Sequence, residues 1–282
     1  MEPWGGAWTE AKLDRVEKYL KAFITALKKQ NFNLVYIDAF CGRGEVGVKG
    51  GEELPLLQEG RRFLAGSARR ALSLAVPFNR YHFIDASQEA LEELKSWLNS
   101  NRPDLQGRVH FHHGDVNAEL PKVTDALGKM ERAVLFLDPF GMQVDWETMV
   151  IIAKKCLDLW YLVPTMALNR MVSKTLNMPA GWPEKLDTFL GTSSWRETWY
   201  LTDVQGRLFQ DGDDGKLRTA SIEKIEADFV ARLRILFKMP KNQKRLGSSK
   251  SGILFTLVFG CSNPDPKAYG LALRIANNLL KD

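Results

Sequence analysis

Short apolar runs alternate with amphipathic stretches along this chain. Five runs read as strands: 34–38, 81–85, 109–113, 133–137 and 159–163. Three of them, 34–38, 133–137 and 159–163, are almost wholly apolar, as strands covered on both faces must be. Between them the apolar positions recur at helical spacing. Leu13, Val16, Leu20, Phe23, Ile24 and Leu27 form one stripe of a helix predicted over 9–30. Thr9 stands where an N-cap belongs, and Lys28 and Lys29 suit the negative end of that helix's dipole. Further helices are predicted over 66–74, 87–98, 146–155 and 221–234. Residues 45–65, rich in Gly, Glu and Leu, read as a loop insertion. Helix and strand alternating in this way predict an α/β fold, with a parallel sheet covered on both sides.

Two stretches depart from the alternation. Residues 165–215 carry Trp182, Trp195, Trp199 and Tyr200 among several Gly and Pro. They read as a helical insertion, a lid over the carboxyl end of the sheet, with the tryptophans as its apolar anchor. The chain then ends in an antiparallel hairpin, with strands predicted over 235–239 and 253–261 around a basic turn. The expectation is one domain over 1–282 containing that insertion.

Composition narrows the class. Hydrophobic residues make up 45% and charged residues 26% of 282, ordinary proportions for a globular domain. No apolar run approaches the ~20 residues that a membrane span needs. Residues 1–10 have no basic start followed by an apolar stretch, so no secretory leader is expected. Cys41, Cys156 and Cys261 are far apart, odd in number and without metal-ligand spacing. A reduced, cytoplasmic protein without a metal site is the expectation. The net charge of +5 is unevenly placed: between Phe229 and Pro264 there is no acidic residue. That stretch holds Arg232, Arg234, Lys238, Lys241, Lys244, Arg245 and Lys250. A basic tract over 232–250 fits a polyanionic partner such as nucleic acid. It equally fits an edge hairpin that lysines protect from pairing with other chains.

The candidate chemistry falls where strands end. Open α/β sheets bind ligands beyond the carboxyl ends of their strands, where the strand order reverses. The first strand ends in Asp38, Ala39, Phe40, Cys41, Gly42, Arg43 and Gly44, and glycines let a backbone approach a ligand closely. The second ends in Asp85, whose carboxylate can accept from both hydroxyls of a ribose. After the third come Asp115 and Val116, able to accept from an adenine amino group and to lie against its ring. The fourth ends in Asp138, Pro139, Phe140 and Gly141.

Taken singly, each has a plainer reading: a tight turn at Gly42 and Gly44, a helix cap at Asp85, a turn residue at Asp115, a strand terminator at Asp138 and Pro139. Their fall at the ends of consecutive strands points to one nucleotide-like ligand. A nicotinamide fingerprint needs an acid ~20 residues after its glycines, and Asp85 lies much further on. His82, His110, His112 and His113 read as packing or surface hydrogen-bonding groups. The Asp-Pro-Phe-Gly turn suits methyl transfer to a conjugated amine, a poor nucleophile. Asp138 and the Pro139 carbonyl can accept its protons, and Phe140 can stack on its ring. Positioning and electrostatic stabilisation would supply the acceleration.

At these residues the chain resembles the three-Cys-motif partner family, TcmP. The resemblance rests on Trp8-Thr9 with Lys12-Leu13 and Tyr19-Leu20-x-x-Phe23, on Tyr36-Ile37-Asp38-Ala39-Phe40-x-Gly42-x-Gly44 and on Gly66-Ser67-Ala68. It continues through Leu135-Phe136-Leu137-Asp138-Pro139-Phe140-Gly141-Met142-Gln143-Val144 and Asp158-Leu159-Trp160-Tyr161-Leu162. It covers most of residues 8–170. The resemblance implies a Rossmann-like class I methyltransferase fold, S-adenosyl-L-methionine as cofactor, and a partner protein carrying a three-cysteine motif. The glycine loop and Asp-Pro turn are also similar to those of adenine-N6 methyltransferases, which carry a second proline where this chain has Phe140. The sequence thus leads to an S-adenosylmethionine-dependent N-methyltransferase acting on a nucleic-acid base. Two alternatives stay open: a small-molecule or protein acceptor, or a cofactor-binding partner subunit with little chemistry of its own.

Overall fold

The computed structural model describes residues 7–47, 63–202, 216–248 and 252–281. Its centre is a seven-stranded sheet in the order β5 (Val109–His113), β4 (Arg80–Asp85), β1 (Asn33–Asp38), β6 (Glu131–Leu137), β7 (Leu157–Val163), β11 (Gly252–Cys261), β10 (Lys244–Ser248). The pairs β5–β4, β4–β1, β1–β6 and β6–β7 are parallel, whereas β11 runs antiparallel to both β7 and β10. This is a doubly wound, Rossmann-like arrangement finished by an antiparallel hairpin. The chain steps outward from β1 to β4 and β5, then returns to the other side of β1 as β6, so the order reverses beside β1.

Alternation along the strands feeds two hydrophobic layers. Val35 and Ile37 of β1 face one, Leu34 and Tyr36 the other. Helices α1 (Ala7–Leu27), α2 (Ser67–Leu72), α3 (Gln88–Asn101) and α10 (Pro266–Leu279) cover the second layer. Helices α4 (Val116–Asp125), α5 (Trp146–Ile152), α6 (Thr165–Met171), α7 (Trp182–Leu190), α8 (Trp195–Thr198) and α9 (Ile222–Leu236) cover the first. No described helix is long and apolar enough to cross a membrane.

Several sequence expectations shift. Helix α1 begins at Ala7, so Thr9 is not its cap but lies buried inside it. Of the predicted strand over 235–239 there remains a single antiparallel bridge, Lys238 to Cys261; the rest is the end of α9 and an extended Phe237. The helical stripe Ile225, Phe229, Leu233 runs on to Phe237, while Ile235 points outward at 76% exposure. The hairpin's first strand is β10, whose polar Lys244–Ser248 carries no apolar signal. Two helices sit where the apolar pattern singles out none. Helix α4 follows Asp115 and contains Pro121; α10 follows the Asp265 cap and opens on Pro266.

The loop insertion begins as a short hairpin of β2 (Glu45–Gly47) and β3 (Phe63–Ala65), its remainder lying outside the described residues. The insertion expected over 165–215 contains α6, α7, α8 and a hairpin of β8 (Tyr200–Thr202) with β9 (Lys216–Arg218). Residues 203–215 lie outside the described residues. Trp195, Trp199 and Tyr200 are buried and anchor this region to the first layer.

Candidate functional site

A cleft of about 540 Å³ opens at the carboxyl ends of β1, β4, β5 and β6, beside the point where the strand order reverses. A ligand the size of a nucleoside fits such a volume. Six of the sequence-predicted residues line it: Phe40, Gly42, Asp85, Asp115, Val116 and Phe140.

Gly42 holds φ +54°, a left-handed conformation that costs other residues strain, and a side chain there would meet nothing. Its bare backbone is therefore a surface a ligand can approach. Its amide donates to Asp85 Oδ2 at 2.7 Å, and the Ser87 amide donates to Oδ1 at 2.8 Å. Asp85 thus anchors the glycine loop to the turn before α3, while the Ser87 hydroxyl caps that helix. A carboxylate offers about four lone-pair sites, so two remain for ligand hydroxyls. Asp115 caps α4 through Oδ1, which accepts from the Asn117 amide at 2.8 Å, and Val116 is buried beneath it. At both aspartates these local hydrogen bonds leave acceptor capacity over.

The remaining predicted residues do not line the cleft. Gly44 has φ +75°, and a side chain there would press to 2.7 Å from Arg69, so it serves loop packing. Asp38 is 0% exposed and accepts from the Tyr36 hydroxyl at 3.1 Å. Burial pushes its carboxyl up to about 7, with the Asp138 charge adding and the Ser67 and Tyr36 hydroxyls opposing. Asp138 forms an ion pair with Lys12 of α1, a residue itself almost wholly buried. Neither Asp138 nor Pro139 is among the residues that line the cleft.

Three further cleft residues carry the site's rigidity. Asn117 donates to the Gln143 carbonyl at 2.8 Å and accepts from the Asp145 amide and the Thr148 hydroxyl, each at 2.9 Å. Gln143 Oε1 accepts from the Phe140 amide at 2.9 Å. Together they tie the turn after β6 to the start of α4, and leave the Phe140 ring 78% exposed at the cleft mouth. Lys185 enters from α7, paired with Asp145 at 3.5 Å. Gln143 stands in the same run as the Asp-Pro turn, and Asn117 two residues after Asp115, so adjacency was a signal for both. Lys185 has none, because only the packing of α7 brings it there.

Other candidates resolve into structure. His82 Nδ1 lies 2.9 Å from His112 Nε2, and the His82 ring stacks with those of His110 and His112. Burial first, then the neighbouring histidines and Arg80, holds His82 down to about 3, so it stays neutral. Among the described residues no group of His, Cys, Asp or Glu could hold a metal ion. In the basic tract, Arg232 lies over the Trp146 ring and donates to the Leu190 carbonyl at 2.7 Å. Arg234 donates to the Met239 and Pro240 carbonyls, and Arg245 pairs with buried Glu226 at 2.6 Å. Lys238 and Lys241 are exposed, and Lys250 lies outside the described residues. The hairpin register sets Lys244 against Leu257, itself opposite Leu162 near the carboxyl end of β7. Ser248 and Gly252 therefore lie past the same end of the sheet as the cleft, whereas Lys238, bridged to Cys261 opposite Asp158, lies at the other end.

Asp85→Ala should weaken S-adenosylhomocysteine binding about 10- to 150-fold, the worth of hydrogen bonds to a charged group. Calorimetry checks this. Unchanged affinity in a folded variant would leave Asp85 as a loop anchor alone.

No protein-family model and no curated protein matches the chain. Among solved structures it is similar to a Legionella pneumophila str. Philadelphia 1 protein of the family model DUF519, at 14% identity, covering 98% of this chain and 94% of that one, with a TM-score of 0.48. It is also similar to the methyltransferase domain of bacterial CtHen1-CN, at 13% identity, 88% and 99% coverage and a TM-score of 0.39. A third is an S-adenosylmethionine-dependent methyltransferase from Clostridium acetobutylicum ATCC 824, at 13% identity, 87% and 91% coverage and a TM-score of 0.36. At such identities and TM-scores, the activity has to be read from the site itself.

Proposed function

We propose that the protein is an S-adenosyl-L-methionine-dependent N-methyltransferase acting on a nucleic-acid base. The observation that carries this reading is the cleft, where Gly42, Asp85, Asp115 and Val116 converge from three consecutive strand ends. The residues fit the cofactor. Asp85 keeps acceptor capacity for two ribose hydroxyls. Asp115 and Val116 offer an acceptor and an apolar surface for adenine, and the bare Gly42 backbone admits the methionine portion. The cofactor would supply an electrophilic methyl group. The protein's part is to position the acceptor: Phe140 stacks on its ring, and Gln143 and Asn117 hold the turn rigid beneath it. The Phe140 ring, exposed at the cleft mouth, favours an acceptor with a flat ring such as a nucleic-acid base.

A second reading has its own support. Asp138, the expected acceptor of the amine's protons, is engaged by Lys12 and does not line the cleft. That favours a cofactor-binding subunit that completes its chemistry with a three-cysteine-motif partner. Both readings require the cofactor. S-adenosylhomocysteine at ~100 times its dissociation constant should stabilise the fold by about 2.7 kcal/mol, seen as a raised melting temperature, with no effect of NAD. Methyl-labelled cofactor incubated with total nucleic acid and total protein then separates the two. Label in nucleic acid supports the enzyme. Cofactor binding without label anywhere supports the subunit. Stabilisation by NAD alone defeats both.

A further inference from the structure

A second cavity lies at the opposite, amino end of the sheet, between α1 and α10, and the proposed methyl-transfer chemistry has no use for it. Its volume is about 170 Å³. Phe23, Leu27, Phe32, Leu271, Ala272 and Ile275 supply apolar walls. An apolar cavity of roughly 150 Å³ stays dry and takes up benzene, so this one accommodates a single ring.

Its floor is polar. Asp158, at the start of β7, lines the cavity and is only 7% exposed. The Tyr19 hydroxyl donates to its Oδ2 at 2.7 Å. Burial pushes the carboxyl up to about 6, with the Cys261 thiol and the Tyr19 hydroxyl opposing. Buried carboxylates are normally paired with cations, because desolvation is otherwise uncompensated. Besides Asp158, Asp38 is the other buried acid without a cation among the described residues, but it is fully enclosed and lines neither cavity. Three further buried or half-buried acids are paired. Glu131 pairs with Arg80 at 3.1 Å, Glu226 with Arg245 and Asp138 with Lys12. Asp158 has no such cation among the described residues. Arg132 on the rim does not serve: its guanidinium lies over the Phe32 ring at 3.9 Å and donates to the Lys129 and Glu131 carbonyls. The second acid on the rim, Asp265, caps α10.

We propose that this cavity binds a small protonated amine carried on an apolar, ring-sized body. The ring occupies the space between α1 and α10. The ammonium reaches Asp158 and donates to the carboxylate lone pairs that Tyr19 leaves unused. The site is separate from the cleft and stands whether or not methyl transfer does.

The test compares 2-phenylethylamine with 2-phenylethanol, equal in size and lacking the charge, by calorimetry on the full chain. The amine should bind saturably and at least about tenfold more tightly than the alcohol, since charge-assisted hydrogen bonds are about twice as strong as neutral ones. Asp158→Asn keeps an oxygen for the Tyr19 hydroxyl and should erase the preference. Ala268→Phe, a half-buried position on the cavity wall, should block both ligands. Both variants should bind S-adenosylhomocysteine as the parent does if that ligand binds at all; circular dichroism otherwise reports their fold. If Asp158→Asn does not fold, Ala268→Phe decides alone. Equal affinity for amine and alcohol, amine binding that survives Ala268→Phe, or no saturable amine binding would each overturn the proposal.

Discussion

Asp138→Ala should lower methyl transfer by 10²–10³ or more while S-adenosylhomocysteine binds within a few-fold of the parent. The rate factor is what loss of one preorganised polar group costs in other active sites. The binding expectation follows from position: Asp138 lies outside the residues that line the cleft. Its pair with Lys12 complicates the variant, because alanine also removes a buried ammonium's partner. Asp138→Asn is the companion that keeps shape and hydrogen bonding but loses the charge. A loss of rate per folded molecule in both variants assigns Asp138 to the transfer step, by accepting from the amine directly or by fixing the turn that does. Full activity in folded Asp138→Asn would leave the residue structural and make the partner-subunit reading the better one. Phe140→Ala, in contrast, should weaken acceptor binding and spare the cofactor, since stacking on an aromatic is worth roughly 1–3 kcal/mol per base.

The parts of the fold written in hydrophobic pattern were legible in the sequence, and the parts written in polar residues were not. β1, β6 and β7 are buried on both faces, so every residue reports the strand. β10 is an edge strand of Lys, Arg, Gly and Ser with one buried residue, Leu246, and carries no such report. The apolar Ile235 to Met239 drew the strand assignment instead, although Ile235 faces solvent and Phe237 continues the helical stripe of α9. Pro121 conceals α4, and Gly270 breaks the pattern of α10.

The site divides on similar lines. Strand ends in a doubly wound sheet converge by topology, so Gly42, Asp85, Asp115 and Phe140 could be placed together from strand positions alone. Whether a side chain at such a position faces the ligand or the molecule behind it depends on what else is packed there. Lys12 arrives from α1, far away in sequence, and decides the matter for Asp138. Lys185 arrives from the insertion in the same way. Side chains that hold a site rigid, such as Asn117 and Gln143, leave no periodic signature at all.

Lys12 is accordingly where the second large effect is expected. It sits in the first turns of α1, buried to 7% side-chain exposure, against an Asp138 carboxylate that is 22% exposed. Breaking a fully buried ion pair by removing one partner costs about 3–5 kcal/mol. The partial exposure of Asp138 admits solvent, which places Lys12→Met nearer 2–3 kcal/mol on the scale of that principle. Methionine retains the length and the apolar stem, so packing against the sheet is largely kept and the loss reports the charge. For a domain of this size that is a fall in melting temperature on the order of 5–10 °C. Lys12→Met, Asp138→Asn and the double variant together form a cycle. A coupling energy of at least about 1 kcal/mol is expected, as for charged groups in direct contact. The same cycle run on transfer rate locates the pair's purpose. If Lys12 fixes the Asp138 carboxylate for catalysis, Lys12→Met loses rate as well as stability, and adding Asp138→Asn costs little more. If the two substitutions instead add within about 0.5 kcal/mol in stability and leave the rate untouched, the pair is a surface-like contact of no consequence. The turn after β6 would then owe its shape to Gln143 and Asn117 alone.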